Sequence, residues 1–299
     1  MKKKKNKIEK IKAPILTSVC LAVLLILAVV ITGNYLWQLN QYEQEFKNDL
    51  DAFQNLFQTE IDENVQLMAG FLDLIKSDPE LQDLWLTGNK ELLYEYCRPI
   101  YRNFSEKNNI TDFYFIDAEK VCYLRMHDSA RSGDTIPRYR LTMAVENGSP
   151  SYGIELGKFG TLTLRAVHPW HIENKLSGYI ELGIDMGYIE SEISEITGLS
   201  SFLAIKKEYL NRENWEAGLK MLGRSGDWDL FPDFAIVDRS SKEIPAKLIN
   251  HYKRKSYTKK YDFLDKLMID NYLLTGSIPL VDAGNRQIGE IIVIEDIAA

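Results

Sequence analysis

Apolar and polar residues follow three successive rhythms along this chain. From Ala13 to Tyr42 no residue is charged, and Val19 to Ile31 is unbroken apolar sequence. A bilayer core needs about 20 apolar residues in a helix. Ile15–Trp37 meets that length, with Tyr35 and Trp37 placed as interfacial anchors. The second rhythm has steps of three and four: Leu39, Tyr42, Phe46, Leu50, Phe53, Phe57, Ile61, Val65, Met68, Leu72 and Ile75. That spacing predicts one long amphipathic helix with a single apolar stripe, on the order of 55 Å long at about 1.5 Å per residue. The stripe serves a core, contacts with a second copy, or both. Asp78-Pro79-Glu80 then signals a new helix start, with Asp as cap and Pro in the first turn. Short helices are expected over 79–86 and 89–104.

The third rhythm is alternation. Phe113–Asp117 and Val121–His127 read as a hairpin. A loop with Ser132-Gly133-Asp134 and Pro137 leads to a helix, Arg138–Glu146, stopped by Asn147-Gly148. Strands follow at Tyr152–Leu156, Thr161–Val167 and Gly178–Asp185. The pattern then loosely repeats: helix Gly187–Thr197, strand Ser200–Lys206, helix Arg212–Leu222, strand Phe234–Val237, helix Pro245–Tyr252, and strands near Ser256–Phe263, Lys266–Ile278 and Gln287–Glu295. Both halves close alike, His168-Pro169 … Gly178-Tyr179-Ile180-Glu181-Leu182 beside Ile278-Pro279 … Gly289-Glu290-Ile291-Ile292-Val293. The expected fold is α+β: an N-terminal transmembrane helix continuing into a stalk helix, then two tandem lobes with antiparallel sheets. The boundaries fall at 1–12, 13–37, 38–77, 78–186 and 187–299.

Charge adds a direction. The first twelve residues hold seven Lys and one Glu, a net +6, while the whole chain carries −7, so residues 13–299 carry −13. By the positive-inside rule the Lys-rich start stays in the cytoplasm and the bulk lies outside. No small-x-small cleavage site follows the long apolar run, so the anchor is read as uncleaved. The acidic balance argues against nucleic acid as a partner. Cys20 lies in the span. Cys97 and Cys122 lie outside it, where a disulfide is permitted but two thiols make no scaffold.

Candidate chemistry comes from alternation on the first lobe's strands, since neighbouring side chains take opposite faces. Tyr123, Arg125 and His127 share one face, opposite Cys122, Leu124 and Met126. Thr163 and Arg165 oppose Leu164 and Ala166, Glu181 and Asp185 oppose Leu182 and Ile184, and Glu155 opposes Ile154 and Leu156. Each strand thus offers an apolar face for the long helix and a face of ionisable groups. Antiparallel sheets often leave a polar face to water. This one is poor in Lys and concentrates Arg, His, Tyr and carboxylates, and the 128–147 segment is placed to cover it. Arg125 and Arg165 suit an anionic group. His127 and Tyr123 serve as hydrogen-bonding partners, Glu155, Glu181 or Asp185 take an amine or fix the arginines, and Asp134 comes from the covering loop. The last strand of the second lobe is apolar on both sides, so that lobe reads as structural. His168 and His171 flank Pro169 and read as turn residues; no metal or cofactor is expected. The chain has no G-x-S-x-G, P-loop, G-x-G-x-x-G or activated-Cys pattern, so no catalytic role is assigned.

Several runs carry a resemblance: Tyr123-Leu124-Arg125-Met126-His127, Gly133-Asp134, Arg138-Tyr139-Arg140, Gly153-Ile154-Glu155-Leu156-Gly157, Leu164-Arg165 with Pro169, and Gly178-Tyr179-Ile180-Glu181-Leu182-Gly183. Over about 38–299 the chain resembles the double-Cache extracellular sensors of bacterial chemoreceptors, sensor kinases and diguanylate cyclases. The resemblance implies two PAS-like lobes, with a small-molecule site in the membrane-distal one, and a second membrane helix and output module beyond residue 299. The Tyr-x-x-x-x-Arg-x-x-x-Trp-Tyr motif of the amino-acid-binding group is missing, so amino-acid binding is not carried over. The expectation is an extracytoplasmic sensor of a small polar, carboxylate- or amine-bearing ligand, signalling through helix movement as a homodimer formed through the stalk. The alternative is a membrane-anchored adaptor whose outer part binds a protein. An enclosed cavity under 128–147 would favour the first.

Overall fold

A computed structural model describes residues 2–241, 243–254, 267–270 and 273–296. It divides into two units, Met1–Asp49 and Leu50–Ala299. Helix α1 covers Lys2–Ser77, so residues up to 49 form the first unit and the rest belong to the second. Every residue from 16 to 38 is exposed. This stretch reaches a mean hydropathy of 2.7, long and apolar enough to cross a bilayer.

In the second unit, helices α2 (Pro79–Thr87) and α3 (Lys90–Asn108) precede strands β1 (Ile110–Ile116) and β2 (Cys122–Arg125). Asp78 caps α2 as its sequence predicts, its carboxylate accepting from the Glu80 and Leu81 amides. Helix α4 (Tyr139–Asn147) ends on Gly148 in the left-handed region and leads to β3 (Ser151–Leu156), β4 (Leu162–Ile172) and β5 (Lys175–Asp185). These five strands form one antiparallel sheet in the order β2-β1-β5-β4-β3. Helix α5 (Met186–Thr197) joins them to β6 (Ser200–Lys206), α6 (Arg212–Met221), β7 (Phe234–Arg239), α7 (Ala246–Arg254), β8 (Leu267–Asp270), β9 (Leu273–Val281) and β10 (Gln287–Asp296). The second sheet runs β7-β6-β10-β9-β8. The protein is α+β, with two sheets consistent with tandem PAS-like lobes.

The helical stripe does what its spacing predicts. Phe53, Phe57, Met68, Leu72 and Ile75 of α1 share one buried cluster with Phe113, Phe115, Leu124, Leu164 and Leu182 of the first sheet and with Ile278, Ile291 and Val293 of the second. Each such side chain contributes roughly 1.5–3 kcal/mol on burial. The expected apolar faces therefore meet the long helix, and the opposite face of each sheet is free for other use.

Some boundaries move for physical reasons. Strand β4 runs past Val167, through Pro169, to Ile172. Its partner β3 ends at the Ser151–Val167 pair, so Pro169 lies where β4 has only β5 beside it and no amide is needed on the open edge. The segment read as one strand, Lys266–Ile278, contains two, because β8 and β9 pair antiparallel with Met268 opposite Leu274. The strand expected at Ser256–Phe263 lies outside the described residues. Cys97 and Cys122 are both buried and unbridged. Burial pushes their thiols up to about 12 and about 11, so neither is a reactive thiolate.

Candidate functional site

The first sheet's outer face is built by register. Tyr114 on β1 lies opposite Arg125 on β2 and opposite Glu181 on β5. On β4, Thr163 faces both Asp185 on β5 and Glu155 on β3. Gly183 sits between Asp112 on β1 and Arg165 on β4. It has no side chain, so the Arg165 guanidinium crosses β5 and its Nη1 donates to Asp112 Oδ2 at 2.7 Å. A Cβ at residue 183 would stand 2.9 Å from Thr163 Cγ2 and 3.0 Å from Asp112 Cβ.

Arg165 is the centre of the network. Its Nη1 also donates to Glu181 Oε1 at 2.7 Å, and its Nε lies 3.5 Å from Glu155 Oε2. Arg138, in the turn before α4, donates to the same Glu181 oxygen and lays its guanidinium 4.6 Å from the Tyr114 ring centre. Burial pushes the Glu181 carboxyl above its ordinary value despite the two arginines, and its Oε2 has no hydrogen-bond partner. Burial would raise Asp112 too, but there Arg165, Arg138 and His127 prevail and hold it below the usual aspartate range. His127 Nδ1 is 3.7 Å from Asp112 Oδ1. Burial lowers this imidazole below its ordinary value, against the opposing pull of Asp112.

The covering segment is stitched to β2. The Cys122 amide donates to Asp134 O, and the Gly133 amide donates back to Cys122 O. Arg125, 3% exposed, grips Asp134 with both terminal nitrogens at 2.7 and 2.8 Å and donates to Arg131 O. This bidentate pair commits Arg125 to fastening the loop. At the far end of β5, Asp185 accepts from the Gly187 amide as the cap of α5, and from Arg224 at 3.0 Å. Arg224 also pairs with Asp238 on β7.

Between this face, the covering loop and the α5–α6 region lies a cavity of about 690 Å³. Of the eight residues expected from sequence, Arg125, His127, Asp134, Glu155, Arg165 and Asp185 line it. Glu181 lies fully buried, bonded to Arg165 and Arg138. Tyr123 needs correcting. Ile116 pairs with Cys122 while Phe115 pairs with Leu124, so a bulge makes Tyr123 the extra residue and reverses the alternation there. Cys122 therefore joins Tyr114, Ile136 and Leu141 on the outer face. Tyr123 turns to the helix side, edge-on to Trp85, with its hydroxyl donating to Gly88 O. Asp112, Tyr114 and Arg138 are not among the residues expected from sequence: Asp112 precedes the expected strand, Tyr114 lies in it without an assigned face, and Arg138 is given a place in a helix and in the resemblance but no site role. Also missing from the expected set are Arg224, Met221 and Leu222, which line the cavity from the second half of the chain and have no local signal. His168 is elsewhere, its Nε2 2.7 Å from the Tyr152 hydroxyl, with burial pushing its ring down to about 4. Among the described residues no group of three or more His, Cys, Asp or Glu is arranged to hold a metal ion.

With this geometry in hand, family comparison decides the class. The dCache_3 family, described as the double sensory domain of two-component sensor kinase, matches residues 40–299. The chain belongs to this family. Its fold is similar to the extracellular domain of a histidine kinase, vpHK1S-Z8 (12% identity, 86% of this chain and 92% of that one, TM-score 0.50). It is also similar to the Vibrio cholerae histidine kinase DctB sensor domain (15%, 87% and 98%, TM-score 0.49). A third likeness is to the Campylobacter jejuni chemoreceptor Tlp3 ligand-binding domain in complex with L-valine (13%, 86% and 94%, TM-score 0.44). At these identities the likeness concerns the fold alone. No curated protein matches the chain. The double-Cache domain is a sensory module, and the family is non-catalytic.

Proposed function

We propose that this dCache_3 chain is the extracytoplasmic sensor region of a bacterial inner-membrane receptor. Residues 1–12 lie in the cytoplasm, 13–37 span the membrane, 38–77 form the stalk, 78–186 form the membrane-distal ligand lobe, and 187–299 form the proximal lobe. A small molecule with a polar group binds in the distal lobe, against Arg165, Glu155, His127 and Asp112. Binding shifts the stalk helix, and exposed Leu67 and Leu74 on α1 offer a strip for a second copy.

The observation that carries this reading is the cavity under the covering loop, walled by ionisable groups and open on the side of Tyr188 and Met221. Buried ion pairs seldom add net stability over apolar packing, so a buried ionic wall lining a cavity is better explained by recognition than by folding. The same cavity favours a metabolite over a protein partner. To test it, the full chain in lipid nanodiscs is screened by thermal unfolding against individual polar metabolites. A stabilising compound whose effect is lost in Thr161→Trp, which fills the cavity from its wall, supports the reading. Hits that all survive that substitution place the site elsewhere.

A further inference from the structure

The cavity wall has a second character that the ionic network does not use. Tyr188 on α5 and Met221 and Leu222 at the end of α6 all line it, and they are 50%, 60% and 39% exposed. Phe159, from the β3–β4 turn, lines it as well. That turn is pressed onto α6: a Cβ on Gly218 would collide with Phe159 O, and one on Gly160 would stand 3.1 Å from Trp215 Cδ1. Large apolar side chains left open together, rimmed by charge, mark a binding surface rather than a packing fault. Arg224, two residues after Leu222, pairs with both Asp185 and Asp238 and so ties the end of α6 to the end of β5 and to β7.

Size points the same way. A cavity of about 690 Å³ is within the range that encloses a drug-sized molecule, beyond what a solute of a few heavy atoms fills. The arginines at the ionic end already have carboxylate partners, so additional binding free energy for a larger ligand has to come from the apolar side.

We infer that the cavity takes an amphiphilic ligand: a polar head on the Arg165–Glu155–His127 face and an apolar body against Tyr188, Met221 and Leu222, which makes the second half of the chain a determinant of specificity. This rests on the cavity being the ligand site. It adds that residues beyond β5 read the ligand directly, so that affinity depends on how the α6 turn is seated against β5.

The test uses homologous series with growing tails on fixed heads, measured by thermal shift and calorimetry on the full chain in nanodiscs. The series are ethylamine to hexylamine, acetate to hexanoate, and glycine, alanine, norvaline, norleucine and phenylalanine. Within the series whose head is accepted, affinity rises roughly three- to fourfold per added methylene. Met221→Ser with Leu222→Ser flattens that slope; both residues are exposed, so the variant folds. Binding that is blind to tail length, or a slope unchanged by the double substitution, overturns the inference and leaves the cavity as the site, provided Thr161→Trp still abolishes binding. If no member of any series binds, both the inference and the sensor-site reading fail.

Discussion

The two sheets have the same strand order, a hairpin beside three strands closed by the last one, yet opposite chemistry on the face turned away from α1. Pro169 and Pro279 occupy the same place in β4 and β9, four residues after Arg165 and Thr275. Opposite Arg165 lies Gly183, and opposite Thr275 lies Ile294. Tyr114 pairs with Glu181 in the first sheet, and Phe202 pairs with Ile292 in the second. There, Phe202, Phe234, Leu248, Tyr252 and Ile292 close the face with an apolar cluster. One topology therefore folds with either filling. The ionic face is no requirement of the architecture, and its cost in desolvated charge fits the recognition role proposed for the first lobe.

The contrast is broken most severely at its centre. Arg165→Ala leaves Asp112, Glu155 and Glu181 in a buried setting with their main cation gone. The expected loss is about 3–5 kcal/mol, a fall in melting temperature on the order of 10 °C for a unit of this size. Thermal unfolding of the full chain followed by tryptophan fluorescence measures it. A loss under about 1 kcal/mol would mean that the carboxylates do not depend on Arg165 and that the face is not one network.

Of the acids buried among the described residues of the second half, Glu190, Asp282 and Glu290, Glu190 responds to pH. Glu190 on α5 accepts from Ser201 through one oxygen, while the other has no hydrogen-bond partner. Burial pushes its carboxyl up from 4.5 to about 8. Between these values the folded protein holds a proton that the unfolded chain releases, so stability falls as pH rises through that window and is lowest above it. Glu190→Gln removes this dependence. The variant should be more stable than the parent at pH 8.5, by on the order of 2 kcal/mol, and nearly equal to it at pH 5. Denaturation midpoints at the two pH values decide the matter, and parallel curves would refute the assignment.

Gly183→Ala probes the crossing that makes the network possible. The new methyl meets Thr163 and Asp112 closer than normal contact, so about 1–3 kcal/mol is expected. Arg165 should also lose its bond to Asp112, visible as a rise in the Asp112 carboxyl titration by NMR. A stable variant with an unchanged titration would show that the guanidinium does not need the glycine gap.

How much of this could be read from residues alone follows from the range of each interaction. The helix stripe, the Asp78 cap and the alternating strands rest on neighbours a few positions apart, and they appear where the spacing puts them. Arg165, Glu155 and Glu181 were identified as facing the same way because period two needs no knowledge of partners. Tyr123 was misplaced because a single-residue bulge is set by cross-strand pairing with Phe115 and Ile116, which the β2 sequence does not encode. Asp112 and Arg138 escaped because each takes its meaning from a partner, Arg165 or Glu181, more than 40 residues away. Arg224 joins the cavity through its pairing with Asp185, 39 residues away, and nothing near it in sequence announces that.

The smallest effect is also the sharpest comparison, because it falls at the position equivalent to Arg165. Thr275 is 4% exposed and its hydroxyl has no hydrogen-bond partner, among Leu273, Ile292 and Ile294 on a face whose buried polar pair is Tyr252 donating to Glu290. Burying an unsatisfied hydroxyl costs free energy that valine, of nearly the same shape, avoids. Thr275→Val should therefore raise stability by up to about 1 kcal/mol, seen as a small upward shift in the denaturation midpoint with an unchanged slope. It should leave any ligand-induced stabilisation intact. If Thr275→Val instead destabilises by more than about 1 kcal/mol, a polar partner is at work on the second sheet, and the division between a recognising face and a merely packed one fails at that position.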